Sequence, residues 1–190
     1  MGPGDNIKVF APAKINLFLH VLGKREDGYH ELHTWMQKLD FGDSVEISLK
    51  DQPGIDFSCD DTSLADGDNN LVVKAAKCFF QKSEKLLGLG AEIHLQKLTP
   101  VAAGLGGGSS DAGAVLRGLN HLADNEFEEE TLIELARPLG ADVPFFAVNA
   151  NSVIAEGIGD KMYPVDSLTN YTFVVVNPGF FVSTKWVFEN

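Results

Sequence analysis

A glycine-rich stretch at residues 100–112, PVAAGLGGGSSDA, constrains this chain more than any other feature of its sequence. It follows residues 91–97, AEIHLQK, where apolar and polar residues alternate as in a half-buried strand. Residues 112–120 then place apolar side chains at helical spacing. Glycines between a strand and a helix let backbone N–H groups surround an anion, and the helix N-terminus adds its positive dipole end. The stretch therefore predicts a phosphate-binding loop.

The stretch matches neither of the two common phosphate motifs. No lysine stands between the glycines and Ser109, so it is not a Walker A loop. The sixth position counted from Gly104 is Ser109 rather than glycine, which excludes the dinucleotide fingerprint. A flexible linker is disfavoured, because Ser109, Ser110 and Asp111 are residue types that cap helices. The two serine hydroxyls could cap the helix, bind phosphate or ligate Mg²⁺, and these roles do not exclude one another.

Composition limits the class of protein and its partners. The 190 residues are 44% hydrophobic and 22% charged, which suits one domain or one large lobe of a two-lobed protein. The net charge of −12 argues against nucleic acid as a partner, because binding to phosphate backbones needs clustered Lys and Arg. The two cysteines, Cys59 and Cys78, have no metal-ligand spacing and fit a reducing cytoplasm. No apolar run is long enough to span a bilayer, so we expect no membrane partner. No pattern in the sequence indicates an oligomeric state.

The order of the expected elements favours an α+β fold. Strands dominate the first third, and helices and strands mix afterwards, which is not the alternation of a doubly wound sheet. A helix is expected from residue 70, where apolar residues form one face, and another over residues 131–139. The expected strands cover residues 7–11, 12–22, 29–39, 44–49, 55–59, 152–155, 161–165 and 172–176.

Lys14 and Asp142 are the candidate catalytic residues. Lys14 stands between Ala13 and Ile15 in an apolar strand, where it is either part of a site or a lysine on an exposed strand face. Asp142 stands among small and apolar residues just before Pro144, where it is either a helix N-cap or a reactive carboxylate. Paired, the ammonium would keep the carboxylate ionised and assist deprotonation of an alcohol.

Aromatic residues in two places could stack on a base or belong to the core. Tyr29 and His30 follow a turn, and Phe181 and Phe188 lie near the end of the chain.

Residues 100–112 resemble the central motif of the GHMP kinases, a family that includes galactokinase and the homoserine and mevalonate kinases. Three other stretches agree with it: residues 11–19 (APAKINLFL), 24–32 (KREDGYHEL) and 139–146 (LGADVPFF). The form GLGGGSSDA resembles one branch, whose members phosphorylate the cytidine diphosphate derivative of methylerythritol in the non-mevalonate isoprenoid pathway. The resemblance runs from about Lys8 to the end of the chain.

The resemblance implies the N-terminal lobe of a GHMP kinase, which is ribosomal protein S5 domain 2-like. This α+β lobe has a mostly antiparallel sheet with helices packed against it, and would cover residues 1–180 as an ATP- and substrate-binding domain. Residues 181–190 would begin a C-terminal lobe that is otherwise absent, so we expect the chain to be truncated. The pathway implies a cytoplasmic protein of a bacterium, or a stromal one of a plastid.

The resemblance also implies ATP and Mg²⁺ as cofactors and phosphorylation of the 2-hydroxyl of the cytidyl methylerythritol substrate. Asp142 would be the general base and Lys14 its partner, which polarises the hydroxyl and stabilises developing charge. Ser110 would be a ligand of Mg²⁺. The residues expected to hold the ATP phosphates are Pro100, Gly104, Leu105, Gly106, Gly107, Gly108, Ser109 and Ser110.

The same resemblance places the substrate-binding residues. Asn16 would lie near the substrate, and Tyr29, His30 and Phe188 would hold the cytosine by stacking and by hydrogen bonds to the base edge. Phe188 lies in a segment that matches the family more loosely than the Tyr29-His30 pair does.

Three other functions remain open at this point. A sister GHMP kinase acting on mevalonate, phosphomevalonate or homoserine would have no need for a base-binding Tyr29-His30 pair. A non-catalytic ligand-binding relative would be expected to have lost Lys14 or Asp142, and both are present. A nucleotide-binding lobe that functions only with a partner chain is the third possibility.

Overall fold

The two longest strands form one antiparallel hairpin at the start of the chain. The computed structural model describes residues 2–28, 30–61, 64, 67 and 69–179. Strand β1 (Asn6–Lys24) pairs with β2 (His30–Lys50) along nearly its whole length. The breaks expected after residue 11 and around residues 40–43 were wrong, because both segments continue as single strands.

A close backbone approach explains why the turn-like residues near position 42 remain in a strand. Pro12, which has no N–H to donate, lies opposite Gly42, and the register shifts between Pro12 and Lys14. A Cβ atom at Gly42 would lie only 2.2 Å from the carbonyl oxygen of Ala11. Glycine therefore lets β1 cross β2 closely at the irregularity, where a larger residue would separate the strands.

The sheet extends on the other edge of β2 through four further strands, β3 (Ile55–Cys59), β4 (Gly90–Gln96), β5 (Ser152–Gly157) and β6 (Lys161–Pro164). Residues 44–50 of β2 pair with β4 and residues 32–37 pair with β5, both antiparallel. The outer strand β3 is parallel to β4, so the sheet is mixed although mostly antiparallel. The strand expected at residues 172–176 is wrong, because this segment pairs with no other described strand.

Four α-helices are found in the described parts of the chain. The Asn70 side chain caps the first by accepting a hydrogen bond from the Val72 N–H at 2.9 Å, as expected for a helix starting there. The second begins at Gly107, five residues before the expected start at Ala112, because the glycines themselves form its first turn. The helices are α1 (Leu71–Lys82), α2 (Gly107–Leu122), α3 (Glu129–Ala136), which continues into a 3₁₀ turn over Arg137–Leu139, and α4 (Val143–Ala147).

The core lies between one face of the sheet and helices α1 and α2. Odd-numbered residues of β2 and β4, such as Ile47 and Ile93, are buried against helix residues such as Phe79, Val115 and Leu119. Alternation along each strand puts these side chains on the same face. None of the helices in the described residues is long and apolar enough to cross a membrane.

Candidate active site

A cavity of about 1160 Å³ brings together most of the residues expected at the site. Strand residues Lys14 and Asn16 line it, as does Asp142 at the start of α4. Every residue from Pro100 to Ser109 also lines it, together with residues of β2, of α1 and of the segment 175–178.

The glycine-rich loop packs directly on β1 and α4. Gly104 and Gly106 have φ values of 74° and 72°, in the left-handed region that favours glycine. A Cβ atom at Gly106 would lie 2.9 Å from Cζ of Phe146 and 3.0 Å from Cγ of Lys14. The backbone N–H of Lys14 donates to the carbonyl oxygen of Leu105 at 2.9 Å. These contacts hold the loop beside Lys14.

The first turn of α2 presents backbone donors to the cavity. Its N-cap is Gly106, which makes no side-chain cap hydrogen bond, so the expectation that Ser109, Ser110 or Asp111 caps the helix was wrong. Helix geometry leaves the N–H groups of residues 107–109 without partners inside the helix, and all three residues line the cavity. Unpaired N–H groups and the positive dipole end make this turn suitable for an anion.

Lys14 and Asp142 form an ion pair in the wall of this cavity. The Lys14 ammonium nitrogen lies 3.6 Å from Oδ2 of Asp142 and donates a hydrogen bond to Oδ1 of Asn16 at 2.8 Å. Lys14 is only 8% exposed, so it is not a lysine on an outer strand face. Asp142 occupies the N-cap position of α4 but makes no cap hydrogen bond, and its side chain is 38% exposed. Its carboxylate is therefore available on the cavity side of the pair.

An irregularity in β1 decides which residues after Asn16 face the cavity. The register of β1 against β2 shifts between Asn16 and Phe18. Before the shift the even-numbered Lys14 and Asn16 line the cavity, and after it the odd-numbered Leu19 and Val21 do. Such a bulge reverses the alternation of faces along a strand. Simple alternation from Lys14 would have selected Phe18 instead.

A buried charge cluster at the start of the glycine loop was missed by the sequence analysis, and two of its members, Lys97 and Asp111, line the cavity. The ammonium of Lys97 donates to Oδ2 of Asp43 at 2.5 Å and to Oδ2 of Asp111 at 2.8 Å. The other oxygen of Asp43 accepts the N–H groups of Leu98 and Thr99, where the loop begins. The cluster thus connects β2, the end of β4 and the first turns of α2.

Burial and charge determine the protonation of this cluster. Burial raises the pKa of Asp111 to about 7, against the opposing effect of Lys97. Burial also acts to raise the pKa of Asp43, but hydrogen bonds from Lys97, Thr99 and Leu98 outweigh it and lower that pKa. The pKa of Lys97 is raised despite its burial, because both carboxylates favour the ammonium. One cation therefore faces two carboxylates, of which Asp111 is the one that holds a proton near neutral pH.

The strand pattern contained a signal for this cluster. Lys97 continues the buried row of Ile93 and Leu95 in β4, and Asp43 precedes the buried row of Val45 and Ile47 in β2. A charged residue on the buried parity of a strand needs a partner. Two such residues at the same end of paired strands predict contact between them.

Four of the expected site residues are not seen in the cavity. Ser110 is fully buried, does not line the cavity, and its Oγ has no hydrogen-bond partner. His30 begins β2 opposite Lys24 and does not line the cavity, although Leu32 in the same strand does. Tyr29 and Phe188 lie outside the described residues, as does Phe181.

The part of the chain that the structure describes contains no group of three His, Cys, Asp or Glu side chains placed to hold a metal ion. The cavity lining nevertheless offers oxygen atoms from Ser109 and Asp142. Mg²⁺ is commonly bound through one or two protein oxygens together with substrate phosphates and water, so this donor set fits a cation that arrives with a nucleotide.

Comparison with known proteins supports the expected fold. Residues 70–150 match the GHMP kinases N terminal domain. The 4-diphosphocytidyl-2-C-methyl-D-erythritol kinase of Desulfotalea psychrophila is 53% identical over 179 residues, covering 94% of this chain and 60% of the relative. The protein of the same name from Citrifermentans bemidjiense is 47% identical over 184 residues, covering 97% of this chain and 65% of the relative.

A solved structure gives the same result at the level of the fold. The crystal structure of a 4-(cytidine 5'-diphospho)-2C-methyl-D-erythritol kinase aligns with a TM-score of 0.73 and 34% identity, covering 96% of this chain and 63% of that one. The chain thus spans between 60% and 65% of the length of these relatives.

The matched domain contains two of the features that the site analysis brought together. Residues 70–150 include the glycine loop and Asp142, whereas Lys14 lies outside that range but inside the region shared with the longer relatives. The α+β fold expected from the sequence is confirmed. The chain therefore carries a GHMP kinase N-terminal domain and is similar over nearly its whole length to the first part of these longer kinases.

Proposed function

We propose that the protein transfers the γ-phosphoryl group of ATP to the 2-hydroxyl of 4-diphosphocytidyl-2-C-methyl-D-erythritol. The observation that carries the proposal is the Lys14–Asp142 pair, with 3.6 Å between charged atoms, in the same cavity as the N–H groups that begin α2. The names of the relatives support this choice of acceptor. An anion site beside a carboxylate is the arrangement that phosphoryl transfer to an alcohol requires.

The loop would bind the phosphates of ATP. Gly107, Gly108 and Ser109 place backbone donors at the helix N-terminus, and Pro100 and Gly104 to Gly106 line the same cavity. The chain as a whole carries a charge of −12, so this local field must attract the nucleotide against an unfavourable background. Mg²⁺ would be held mainly by the phosphate oxygens and water, and would neutralise part of their charge.

Asp142 would accept the proton of the acceptor hydroxyl as its oxygen bonds to the γ-phosphorus and the bond to ADP breaks. Lys14 would stabilise the negative charge that develops on the attacking oxygen and on the transferred group. Asn16 accepts a hydrogen bond of 2.8 Å from the ammonium and lines the same cavity, where it would lie near the substrate. Recognition of the cytosine by Tyr29, His30 and Phe188 stays a prediction.

Another GHMP acceptor is the second candidate, because the Lys14–Asp142 pair and the loop would serve any small alcohol. The test measures ADP release by the intact protein with Mg-ATP and the cytidyl methylerythritol substrate, beside mevalonate, phosphomevalonate and homoserine. We expect turnover with the first acceptor alone. Turnover with another acceptor alone would reassign the substrate, and ATP binding without any turnover would favour the non-catalytic relative.

The base assignment is tested by Asp142→Asn. Because the amide cannot accept the hydroxyl proton, we expect turnover to fall by about 100-fold or more, while the Kd for ATP stays within a few-fold of the wild-type value. Asp56→Asn, at an exposed carboxylate that pairs with Lys50, is the matched control and should leave both quantities unchanged. Equal losses of ATP binding and turnover would contradict a role for Asp142 as base.

A further inference from the structure

A chain of hydrogen bonds beneath the Lys14–Asp142 pair has only one possible direction. Lys14 donates to Oδ1 of Asn16 at 2.8 Å, and Nδ2 of Asn16 donates to the hydroxyl of Thr34 at 2.7 Å. The Thr34 hydroxyl in turn donates to the carbonyl oxygen of Phe18 at 2.7 Å. An ammonium can only donate and a carbonyl can only accept, so both ends of the chain determine the direction of every bond between them.

Thr34 is the residue that transmits this direction to Asn16. Its single hydroxyl proton is used by the Phe18 carbonyl, so toward Asn16 the oxygen can only accept. The Asn16 amide must therefore turn its NH₂ group to Thr34 and its oxygen to Lys14. Thr34 is 3% exposed, which keeps water from replacing these partners easily.

We propose that Thr34 is a positioning residue for the transfer reaction, which holds the oxygen of Asn16 toward Lys14 and so keeps the ammonium beside Asp142. This inference rests on the proposed function, because it assigns Thr34 a purpose in the reaction of that site. The bulge between Asn16 and Phe18 is part of the device, because it brings the Phe18 carbonyl within reach of the same hydroxyl.

Loss of the hydroxyl would remove both constraints at once. In Thr34→Val the shape is nearly kept, but the Asn16 NH₂ group loses its acceptor and the Phe18 carbonyl loses its donor. The amide is then held from the ammonium side alone, so Asn16 can shift together with Lys14 and move the ammonium from its place at 3.6 Å from Asp142. Displacements of about 1 Å among reacting groups lower rates by about 100-fold.

Ser152 provides a matched control in the neighbouring strand β5. Its hydroxyl accepts from the Trp35 indole N–H at 2.7 Å and donates to the Met36 carbonyl at 3.3 Å, the same two-bond arrangement. Ser152 is 1% exposed and does not line the cavity. Ser152→Ala therefore removes an equally buried hydroxyl from the same sheet without touching the Lys14–Asn16 contact.

The experiment compares wild type, Thr34→Val, Thr34→Ser and Ser152→Ala as the intact protein. We expect Thr34→Val to lower kcat by about 10- to 100-fold with little change in the KM for ATP, because the glycine loop is untouched. Thr34→Ser should restore most of kcat, and Ser152→Ala should retain it. A loss in Thr34→Val no larger than in Ser152→Ala, or one that Thr34→Ser fails to rescue, overturns the proposal.

A second measurement does not depend on activity. Hydrogen exchange of the ¹⁵N-labelled Asn16 side-chain NH₂ group, followed by NMR, should be at least about 10-fold slower in wild type than for the exposed Asn125. Thr34→Val should abolish this protection, and Thr34→Ser and Ser152→Ala should preserve it. If no acceptor is phosphorylated the proposed function fails, and this measurement still decides whether Thr34 orients Asn16. Unprotected Asn16 in wild type overturns the inference even where Thr34→Val does not fold.

Discussion

The buried carboxylate of Asp111 makes the stability of this domain fall as pH rises, opposite to the effect of a carboxylate such as Asp43, whose pKa is lowered. Asp111 is 2% exposed and shares the single cation of Lys97 with Asp43. Its second oxygen has no hydrogen-bond partner. Burial raises its pKa to about 7 from an ordinary value of 3.8, so the folded protein keeps a proton that the unfolded chain releases.

The sign follows from the number of protons bound by each state. Between about pH 4 and pH 7 the folded state holds the Asp111 proton and the unfolded state does not, so the free energy of unfolding falls as pH rises. The change in pKa from 3.8 to about 7 corresponds, at about 1.36 kcal/mol per unit, to an upper limit of about 4 kcal/mol. Above about pH 7 the loss is complete and this contribution becomes constant.

Asp111→Asn removes the titration and keeps the shape of the side chain. The amide resembles the protonated acid and leaves Lys97 paired with Asp43 alone, at 2.5 Å, as a neutral pair. We expect the free energy of unfolding of the variant minus that of wild type to rise by about 2–3 kcal/mol between about pH 5 and pH 8, because about two of the three units of the pKa change lie in this range.

Urea unfolding of both proteins at several pH values measures this difference directly. Contributions from titrating groups distant from Asp111 cancel in the comparison, because these groups have the same surroundings in both proteins. Asp56→Asn, at an exposed carboxylate, is the control for removing a negative charge from the protein surface. A difference for Asp111→Asn that is constant across this range would refute the assignment of a buried proton to Asp111.

Two further predictions concern helix packing and a buried lysine. Gly113→Ala should destabilise the domain by about 1–3 kcal/mol or more in thermal or urea unfolding, because its Cβ would lie 2.5 Å from Cβ of Phe146. Gly108→Ala in the same helix, whose Cβ would meet nothing closer than 3.8 Å, is the control and should be neutral or stabilising. Burial lowers the pKa of Lys38 to about 7, so its folded form binds fewer protons than the unfolded chain between about pH 7 and pH 10. Lys38→Met should therefore gain stability relative to wild type as pH falls through that range, although the variant loses the hydrogen bond to the Val148 carbonyl at every pH. A difference in the free energy of unfolding that is constant with pH would contradict this prediction.

Local patterns determined most of the secondary structure and the identity of the loop. The alternation over residues 91–97 and the cap at Asn70 both correspond to observed elements. The glycine stretch between a strand and a helix lines the cavity as a loop. This loop could be predicted because glycine content and helix ends are properties of the local sequence. The segment at residues 172–176 has a strand-like composition but no pairing partner among the described strands. Composition shows that a segment can form a strand, but it does not show whether another strand lies beside it.

Other features depend on contacts between distant segments. The close approach of β1 at Gly42 decided that residues 40–43 continue as a strand instead of forming a turn. A Cβ atom at Gly42 would lie 2.2 Å from the carbonyl oxygen of Ala11. The early start of α2 was decided by packing of Gly106 on Phe146 and Lys14. Neither partner is a sequence neighbour, so no local pattern could have predicted these boundaries.

The sequence by itself determined which chemical groups are present and which family pattern they follow: a glycine loop, a lysine in an apolar strand and an aspartate before VPFF. Only the tertiary structure decided that Lys14 and Asp142 face each other, that Thr34 orients Asn16 and that Lys97 is shared by two carboxylates. The physical reason is that burial and pairing of charges are set by segments far apart in the chain, which meet only when the sheet and its helices have formed.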